Sequence, residues 1–224
     1  MENNEYQLAV RYAPYFYFDK KEPFPIQIIG YEVKRKTGRS RSFDRLLSIN
    51  PETALFVIEY AVYFDYDIQH LYDLEHVWVW IGHDGNIADV ECSSHGRVVN
   101  CWRYLRQTKD TTHPVVYGQP GKHAFFPDGK LFLLFSDYRD ACGKLAGIDG
   151  VLVPPYLQGR IMKDRYVDYL VCEHIRENYS FEPSMDFTPC ETPAEVFCPI
   201  GELFPKIEER LRLIITEIQK DSES

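Results

Sequence analysis

The pattern of apolar and polar positions predicts a β-rich middle of the chain. Runs dense in Val, Ile, Phe, Tyr and Trp predict strands at residues 55–64, 75–81, 86–93, 113–118 and 130–135. The turn His83-Asp84-Gly85 separates the second and third runs, so these two are predicted to form a β-hairpin. The Gly- and Pro-containing segments between the other runs are typical of turns.

Helical periodicity predicts three helices, at residues 4–13, 163–177 and 202–220. Pro14 ends the first helix, because proline has no backbone N–H and restricts the residue before it. The third helix is charged along one side and apolar along the other. Its apolar stripe comprises Leu203, Ile207, Leu211, Ile214, Ile215 and Ile218. We therefore expect this C-terminal amphipathic helix to pack on the body of the domain.

Helices at both ends of a run of strands predict an α+β fold. The expected architecture is a central antiparallel β-sandwich with flanking helices and the C-terminal amphipathic helix. The chain has 224 residues and shows no internal repeat or low-complexity segment. A length of this order suits one domain, so residues 1–224 are predicted to form a single domain.

Composition and charge exclude several classes of protein. Lys and Arg number 25 against 34 Asp and Glu, a net charge of −9 that disfavours nucleic acid as a partner. No apolar run approaches the ~20 residues of a transmembrane helix. The N-terminus, Met1 to Glu5, is acidic where a secretory signal is basic and then apolar, so a cytoplasmic location is predicted. The six cysteines include no C-x-x-C pair, which argues against a zinc ribbon.

The densest group of ionisable side chains lies between two of the predicted strands, and it comprises Asp65, Asp67, His70, Asp73, Glu75 and His76. The i, i+2 spacing of Asp73 and Glu75 directs both carboxylates to the strand face that carries Val77. Two carboxylates at an apolar margin raise each other's pKa and are costly to desolvate without a cation. We therefore predict a divalent metal; carboxylates favour calcium or magnesium, and an added imidazole favours zinc, manganese or iron.

Two further histidines, His95 and His123, adjoin glycines in short turn-like segments. Turns at the edge of a rigid sheet often present ligands and catalytic groups. Either histidine is a candidate to complete the metal site or to act as a general acid or base.

The order of these motifs resembles the necrosis- and ethylene-inducing-like protein superfamily and the related vacuolar-sorting-associated family. The matching segments are Tyr12 to Phe18, Asp65 and Asp67, His70-x-x-Asp73-x-Glu75-His76-Val77, Ser94-His95-Gly96, His113 to Tyr117 and Gly121-Lys122-His123-Ala124. They resemble a G-H-R-H-D-W-E or G-D-W-E-H-V core, a later His-Gly turn and a P-V-V-Y strand that leads into S-H-A. The differences from this core are Gln69, Leu71, Tyr72 and Leu74.

The resemblance implies a β-sandwich with a divalent cation at one rim. In it, His70, Asp73 and Glu75 are the metal-site members of the motif, Asp65 or Asp67 is the upstream carboxylate, and His123 or His95 is the distant imidazole. Toxicity to plant membranes accompanies export in that superfamily, and it is not part of the expectation for this chain.

Three functions are compatible with these residues. The first is a metal-dependent hydrolase, in which the metal activates water and His95 or His123 transfers protons. The second is a cation-assisted module that binds a saccharide or a lipid headgroup without catalysis. The third is a structural role, in which Arg97, Arg103 or Arg106 pairs with the carboxylates in place of a metal. A Cys92 nucleophile beside His95 is a weaker alternative.

Overall fold

The structure is a computed structural model, and it describes residues 2–102 and 111–222. The strands are β1 (Tyr15–Asp19), β2 (Ile28–Lys34), β3 (Gly38–Arg39), β4 (Leu46–Leu47), β5 (Phe56–Asp67), β6 (His70–Ile81), β7 (Ile87–Ser94), β8 (Arg97–Asn100), β9 (Val115–Gly118), β10 (Phe125–Phe126), β11 (Gly150–Val151), β12 (Phe187–Cys190) and β13 (Phe197–Pro199). The α-helices are α1 (Glu2–Arg11), α2 (Tyr138–Cys142), α3 (Arg165–Tyr179) and α4 (Ile200–Asp221), and 3-10 helices span Gly129–Leu134, Pro155–Leu157 and Ala194–Val196.

The larger sheet has the strand order β13-β2-β5-β6-β7-β8, and β11 pairs with β6 outside this path. The smaller sheet has the order β10-β9-β1-β12. Most pairs are antiparallel, whereas β1 with β9, β2 with β13 and β6 with β11 are parallel. The long hairpin of β5 and β6 lies in the centre of the larger sheet, and the predicted hairpin of β6 and β7 is confirmed.

The two sheets pack face to face across one apolar layer, which we call the inter-sheet core. Alternate residues of β5, from Ile58 to Phe64, point into this layer, because successive side chains of a strand point to opposite faces. Phe16 and Phe18 of β1 meet them from the smaller sheet. With helices on the outer side, the predicted α+β class with a central β-sandwich is confirmed.

Two separate clusters cover the outer face of the larger sheet. The helix-side core contains Ala61 and Tyr63 of β5 together with the apolar faces of α3 and α4. The tryptophan-side core contains Trp78 and Trp80 of β6, covered by the segment 46–54. The larger sheet is therefore buried on both faces along β5 and β6, which explains their nearly continuous apolar sequences.

Helix α4 lies directly on β2. A Cβ atom at Gly30 would be 2.7 Å from Cδ2 of Leu203, so only glycine lets the helix approach this closely. The predicted stripe faces the sheet, with Leu203 and Ile207 fully buried. Among residues 2–102 and 111–222, no helix combines the length and the apolar composition that crossing a bilayer requires.

Two sequence predictions differ from the structure. Residues 130–135 are not a strand, because Gly129–Leu134 is a 3-10 helix whose first turn is capped by the Asp128 side chain accepting from the backbone N–H of Lys130. This local capping bond prevails over the β-propensity of the run. The strand predicted to begin at Glu75 begins at His70, so the acidic segment is itself part of β6.

The docking of α4 can be tested with two leucines of the same helix. We expect Leu203→Ala to lower the free energy of unfolding by about 2–5 kcal/mol, because it leaves a cavity under the helix. Leu213→Ala, at a position that is 57% exposed, should change it by less than about 0.5 kcal/mol. Urea unfolding at neutral pH measures both. Equal losses in the two variants would contradict this packing.

Candidate functional site

The acidic segment forms the closed end of the β5–β6 hairpin. Asp67 Oδ1 accepts a hydrogen bond from the backbone N–H of Gln69 at 2.7 Å, which stabilises the tight turn between the strands. Tyr72 has a φ of +82°. It lies between two paired positions of the β5–β6 ladder, in which Asp73 pairs with Phe64 and Leu71 pairs with Tyr66. A positive φ is strained for an aromatic residue, and such strain is concentrated at functional sites.

A second segment, Gln119–Ala124, packs against this hairpin end, and we call it the histidine turn. The backbone N–H of Ile68 donates to the Gly121 carbonyl at 2.6 Å. Gly121 has a φ of +67°, and a Cβ there would be 2.8 Å from Cβ of Ile68. Glycine is therefore required both by the backbone conformation and by the close approach of the two segments.

His123 is completely buried between the two sheets. Its Nδ1 lies 2.9 Å from Asp73 Oδ2, and its ring stacks on Phe64 with centroids 3.8 Å apart. Its Nε2 lies 3.4 Å from Glu22 Oε1, an ion-pair contact that falls short of hydrogen-bond geometry. Burial by itself lowers the pKa of His123, but the contacts with Asp73 and Glu22 outweigh it and raise the pKa to about 10. The ring is therefore an imidazolium at neutral pH.

Glu75 is also buried, two residues along the strand from Asp73. Its carboxylate receives hydrogen bonds from the Ser93 hydroxyl and, at 3.4 Å, from the backbone N–H of His95. Burial and the charge of Asp73 nevertheless raise the pKa of Glu75 to about 8, so this carboxyl keeps its proton at neutral pH. Asp73 and Glu75 thus lie close enough to interact, as their spacing predicted.

Asp67 and His70 form a neighbouring pair at the end of the hairpin. The Nδ1–H of His70 donates to the Tyr72 carbonyl at 2.9 Å, because a carbonyl oxygen can only accept. His70 Nε2 lies 3.9 Å from Asp67 Oδ2, and Lys122 Nζ lies 3.4 Å from the same oxygen. The consecutive residues Lys122 and His123 therefore contact Asp67 and Asp73, respectively.

Asp65 is separated from the other predicted metal ligands. Arg210 of α4 donates two hydrogen bonds to its carboxylate, at 2.9 and 2.6 Å. This places Asp65 on the helix side of β5, whereas Asp73 and His123 lie on the inter-sheet side. Alternation along β5 explains the separation, because Asp65 follows Phe64, which points into the inter-sheet core.

The other predicted residues have different surroundings. His95 is exposed and its Nε2 lies 2.9 Å from Gln119 Oε1. Cys92 is fully buried, and burial raises the pKa of its thiol well above the ordinary value, which argues against a nucleophile. Arg103 and Arg106 lie outside the described residues, and the partner of Asp73 is His123. Within 2–102 and 111–222, no group of three or more His, Cys, Asp or Glu side chains has an arrangement that could hold a metal ion.

Sequence reasoning missed three members of this cluster: Glu22, Lys122 and Gln119. Glu22 and Gln119 are ordinary polar residues in loops outside the motifs, and Lys122 lies within the segment Gly121-Lys122-His123-Ala124 but was given no role. The one available signal was Gly121, because a glycine within a short polar turn suggests a positive φ and a close backbone approach. The histidine turn carries Gln119 and Lys122 to the hairpin end, and Glu22, in the loop after β1, accepts a hydrogen bond from the backbone N–H of Gly121 in that turn.

The raised pKa of Glu75 predicts a pH-dependent stability. Glu75 binds its proton more tightly in the folded state than in the unfolded state. The contribution of this proton to the free energy of unfolding is therefore fully present below pH 4.5 and is lost as the pH rises to about 8. Glu75→Gln imitates the protonated acid, and it should be nearly neutral at pH 5 and stabilising relative to wild type at pH 9. Urea unfolding in EDTA across this range measures the effect.

The exposed Glu202→Gln is the control for the removal of one negative charge. If Glu75→Gln and Glu202→Gln show the same pH profile, Glu75 does not keep its proton in the folded protein.

Comparisons with known proteins show little likeness. No protein-family model matches the chain, and no curated protein matches it. A solved structure described as "NLPPya in complex with glucosamine" is similar over 68% of this chain and 86% of that chain, with 17% identity and a TM-score of 0.34. A TM-score this low shows neither a function nor a family, and membership of the family that the motifs resemble stays a prediction.

Proposed function

We propose that this chain is a cation-assisted binding module for a small polar ligand. Asp73 and Glu75 would be the central ligands of a divalent cation, and His70 would be a further ligand. A calcium, magnesium or zinc ion in this position would bind hydroxyl or phosphate oxygens of a saccharide or a lipid headgroup. The observation that carries the proposal is the buried pair of interacting carboxylates of Asp73 and Glu75, in which burial and the charge of Asp73 raise the pKa of Glu75 to about 8.

The charges around the histidine turn support this proposal. Four carboxylates lie at the histidine turn and the adjoining end of the β5–β6 hairpin, those of Glu22, Asp67, Asp73 and Glu75. Lys122 and His123 are the cationic side chains that contact them. Glu75 holds a proton in these surroundings, and metal ions commonly displace protons of this kind because their ligands must be deprotonated. The donor set therefore suits a cation, although no completed site is preformed.

The orientation of His70 gives further support. Histidines that bind metals usually donate the other ring N–H to a carbonyl or a carboxylate, which fixes the tautomer. The bond from Nδ1 of His70 to the Tyr72 carbonyl does this and leaves the lone pair of Nε2 available. The side chains of His70 and Asp73 are each 13% exposed, so both reach solvent at the rim of the sandwich.

Binding is better supported than hydrolysis because of the two candidate acid–base histidines. His123 is fully buried, both of its ring nitrogens face carboxylates, and its pKa of about 10 keeps it protonated. A group in this state neither accepts a proton at neutral pH nor reaches a substrate. His95 is exposed, but its Nε2 is engaged by Gln119. The hydrolase hypothesis stays a prediction without support from this geometry.

Calorimetry on protein stripped with EDTA tests the cation. Calcium, magnesium and zinc chloride are titrated separately at pH 7, in two buffers with different heats of ionisation. We expect at least one ion to bind saturably and to release about one proton, because Glu75 is protonated before binding and ionised afterwards. Asp73→Asn and Glu75→Gln should each weaken binding by at least about tenfold.

Asp65→Asn is the matched control, because Asp65 faces Arg210 on the other side of the sheet. It should bind the ion as the wild type does, with folding verified by circular dichroism. The proposal fails if none of the three ions binds, or if Asp73→Asn and Glu75→Gln bind as tightly as Asp65→Asn. Once an ion is identified, retention on glycan and lipid arrays with the ion, and its loss in EDTA, would identify the ligand class.

A further inference from the structure

A cavity of about 350 Å³ opens between residues 35–37, residues 49–55 and the turn at His83. These segments adjoin the end of the larger sheet that lies opposite the turn of the β5–β6 hairpin. Small-molecule sites commonly measure about 300–1,000 Å³. The cavity is lined by Arg35 and Lys36, and no Asp or Glu of the described residues lines it. Its apolar lining includes Ile49, Ala54 and Leu55.

Hydrogen bonds join the three segments that form this cavity. The backbone N–H of Ile49 donates to Thr37 Oγ1 at 2.9 Å. The Nε2–H of His83 donates to the Pro51 carbonyl at 2.8 Å, because a carbonyl oxygen can only accept. The walls are thus fixed to one another at the end of a rigid sheet, as a binding site requires.

The two cations belong to a basic segment, residues 34–45, in a chain whose net charge is −9. This segment has six Lys and Arg residues and a single acidic residue, Asp44. Five of the six form ion pairs, which are Lys34 and Arg41 with Glu32, Arg35 with Glu5, Arg39 with Asp44, and Arg45 with Glu91. Lys36 is exposed and has no ion-pair partner within residues 2–102 and 111–222. Its ammonium group is therefore available to an anionic ligand.

The neighbours of Lys36 can contribute to the same contact. The Thr37 hydroxyl accepts from Ile49 and keeps its own hydrogen to donate. Arg35 Nη1 lies 3.0 Å from Glu5 Oε1, and the two side chains are 51% and 41% exposed. Such an exposed pair is weak, and the guanidinium has further N–H donors. A cationic ligand would be repelled by Arg35 and Lys36, and a wholly polar anion would leave the apolar lining in contact with water.

We infer that this cavity binds a small amphipathic anion, in which a carboxylate, sulfate or phosphate group is attached to an apolar body. The anionic group would contact Lys36 and Thr37. The apolar body would cover Leu55, which is 46% exposed, and would thereby remove apolar surface from water. Neither Asp73 nor Glu75 lines this cavity, so the inference is independent of the proposed cation site.

Calorimetry on the full-length protein at pH 7 in EDTA tests the charge and the apolar body of the ligand. Octanoate, octyl sulfate and octyl phosphate are titrated below their micellar concentrations, beside octyl glucoside, octyltrimethylammonium and inorganic phosphate. We expect saturable binding of at least one octyl anion, and weaker binding of the last three compounds by at least about threefold. Raising the ionic strength from about 0.01 to about 0.15 M should weaken binding of the octyl anion, because salt screens exposed charges.

Two substitutions locate the ligand in the cavity. Lys36→Gln removes the unpaired charge, and Leu55→Asn removes apolar lining. Each should weaken binding of the octyl anion by at least about threefold. The matched controls Lys130→Gln and Leu213→Asn change the same residue types at exposed positions outside the cavity, and they should bind as the wild type does. Circular dichroism verifies the folding of all four variants.

The inference is overturned if none of the octyl anions binds. It is also overturned if Lys36→Gln binds as tightly as Lys130→Gln, or if Leu55→Asn binds as tightly as Leu213→Asn. Equal affinity for octyl glucoside or octyltrimethylammonium would show that the negative charge is not recognised, and equal affinity for inorganic phosphate would show that the apolar body is not. Either result would likewise contradict the inference.

Discussion

The candidate site depends on the buried contact between the His123 imidazolium and the Asp73 carboxylate. Each charge would be costly to bury alone. Removing one partner of such a buried pair typically lowers the free energy of unfolding by about 3–5 kcal/mol. The contact holds the histidine turn against the end of the β5–β6 hairpin, with Glu22 on the far side of the ring and Phe64 beneath it. Lys122 and Gln119 belong to the same turn, in which Lys122 contacts Asp67 and Gln119 contacts His95.

The central hairpin carries two different chemical environments on its two faces. On the inter-sheet side, Asp73 and Glu75 lie at the rim of an apolar layer, where low polarity raises the pKa of Glu75. On the outer side, Trp78 and Trp80 lie beside carboxylates of β7 and beneath the Arg45 guanidinium. Successive side chains of a strand point to opposite faces of the sheet. Alternate residues of the same strand, β6, therefore build the two environments.

Much of the fold followed from local patterns. The apolar run of β5, the alternation of β6 and the stripe of α4 each predicted the correct element, because burial on one or both faces imposes a period that is visible in the sequence. The 3-10 helix at Gly129–Leu134 was missed, because one side-chain cap at Asp128 determined the local backbone. The left-handed conformations of Tyr72, His95 and His123 were also missed. His95 and Gly96 form the two-residue turn between β7 and β8, where positive φ values are usual, whereas Tyr72 and His123 are buried.

The sequence by itself determined that Asp73 and Glu75 share a strand face with Val77, because that relation depends only on spacing within one strand. Only the tertiary structure decided which cation each carboxylate meets. Asp65 pairs with Arg210 and Asp67 with Lys122, although nothing in the acidic segment distinguishes these aspartates in advance. Ion pairs form only over a few ångströms, and segments far apart in the chain reach those distances only after the sheets and helices have packed.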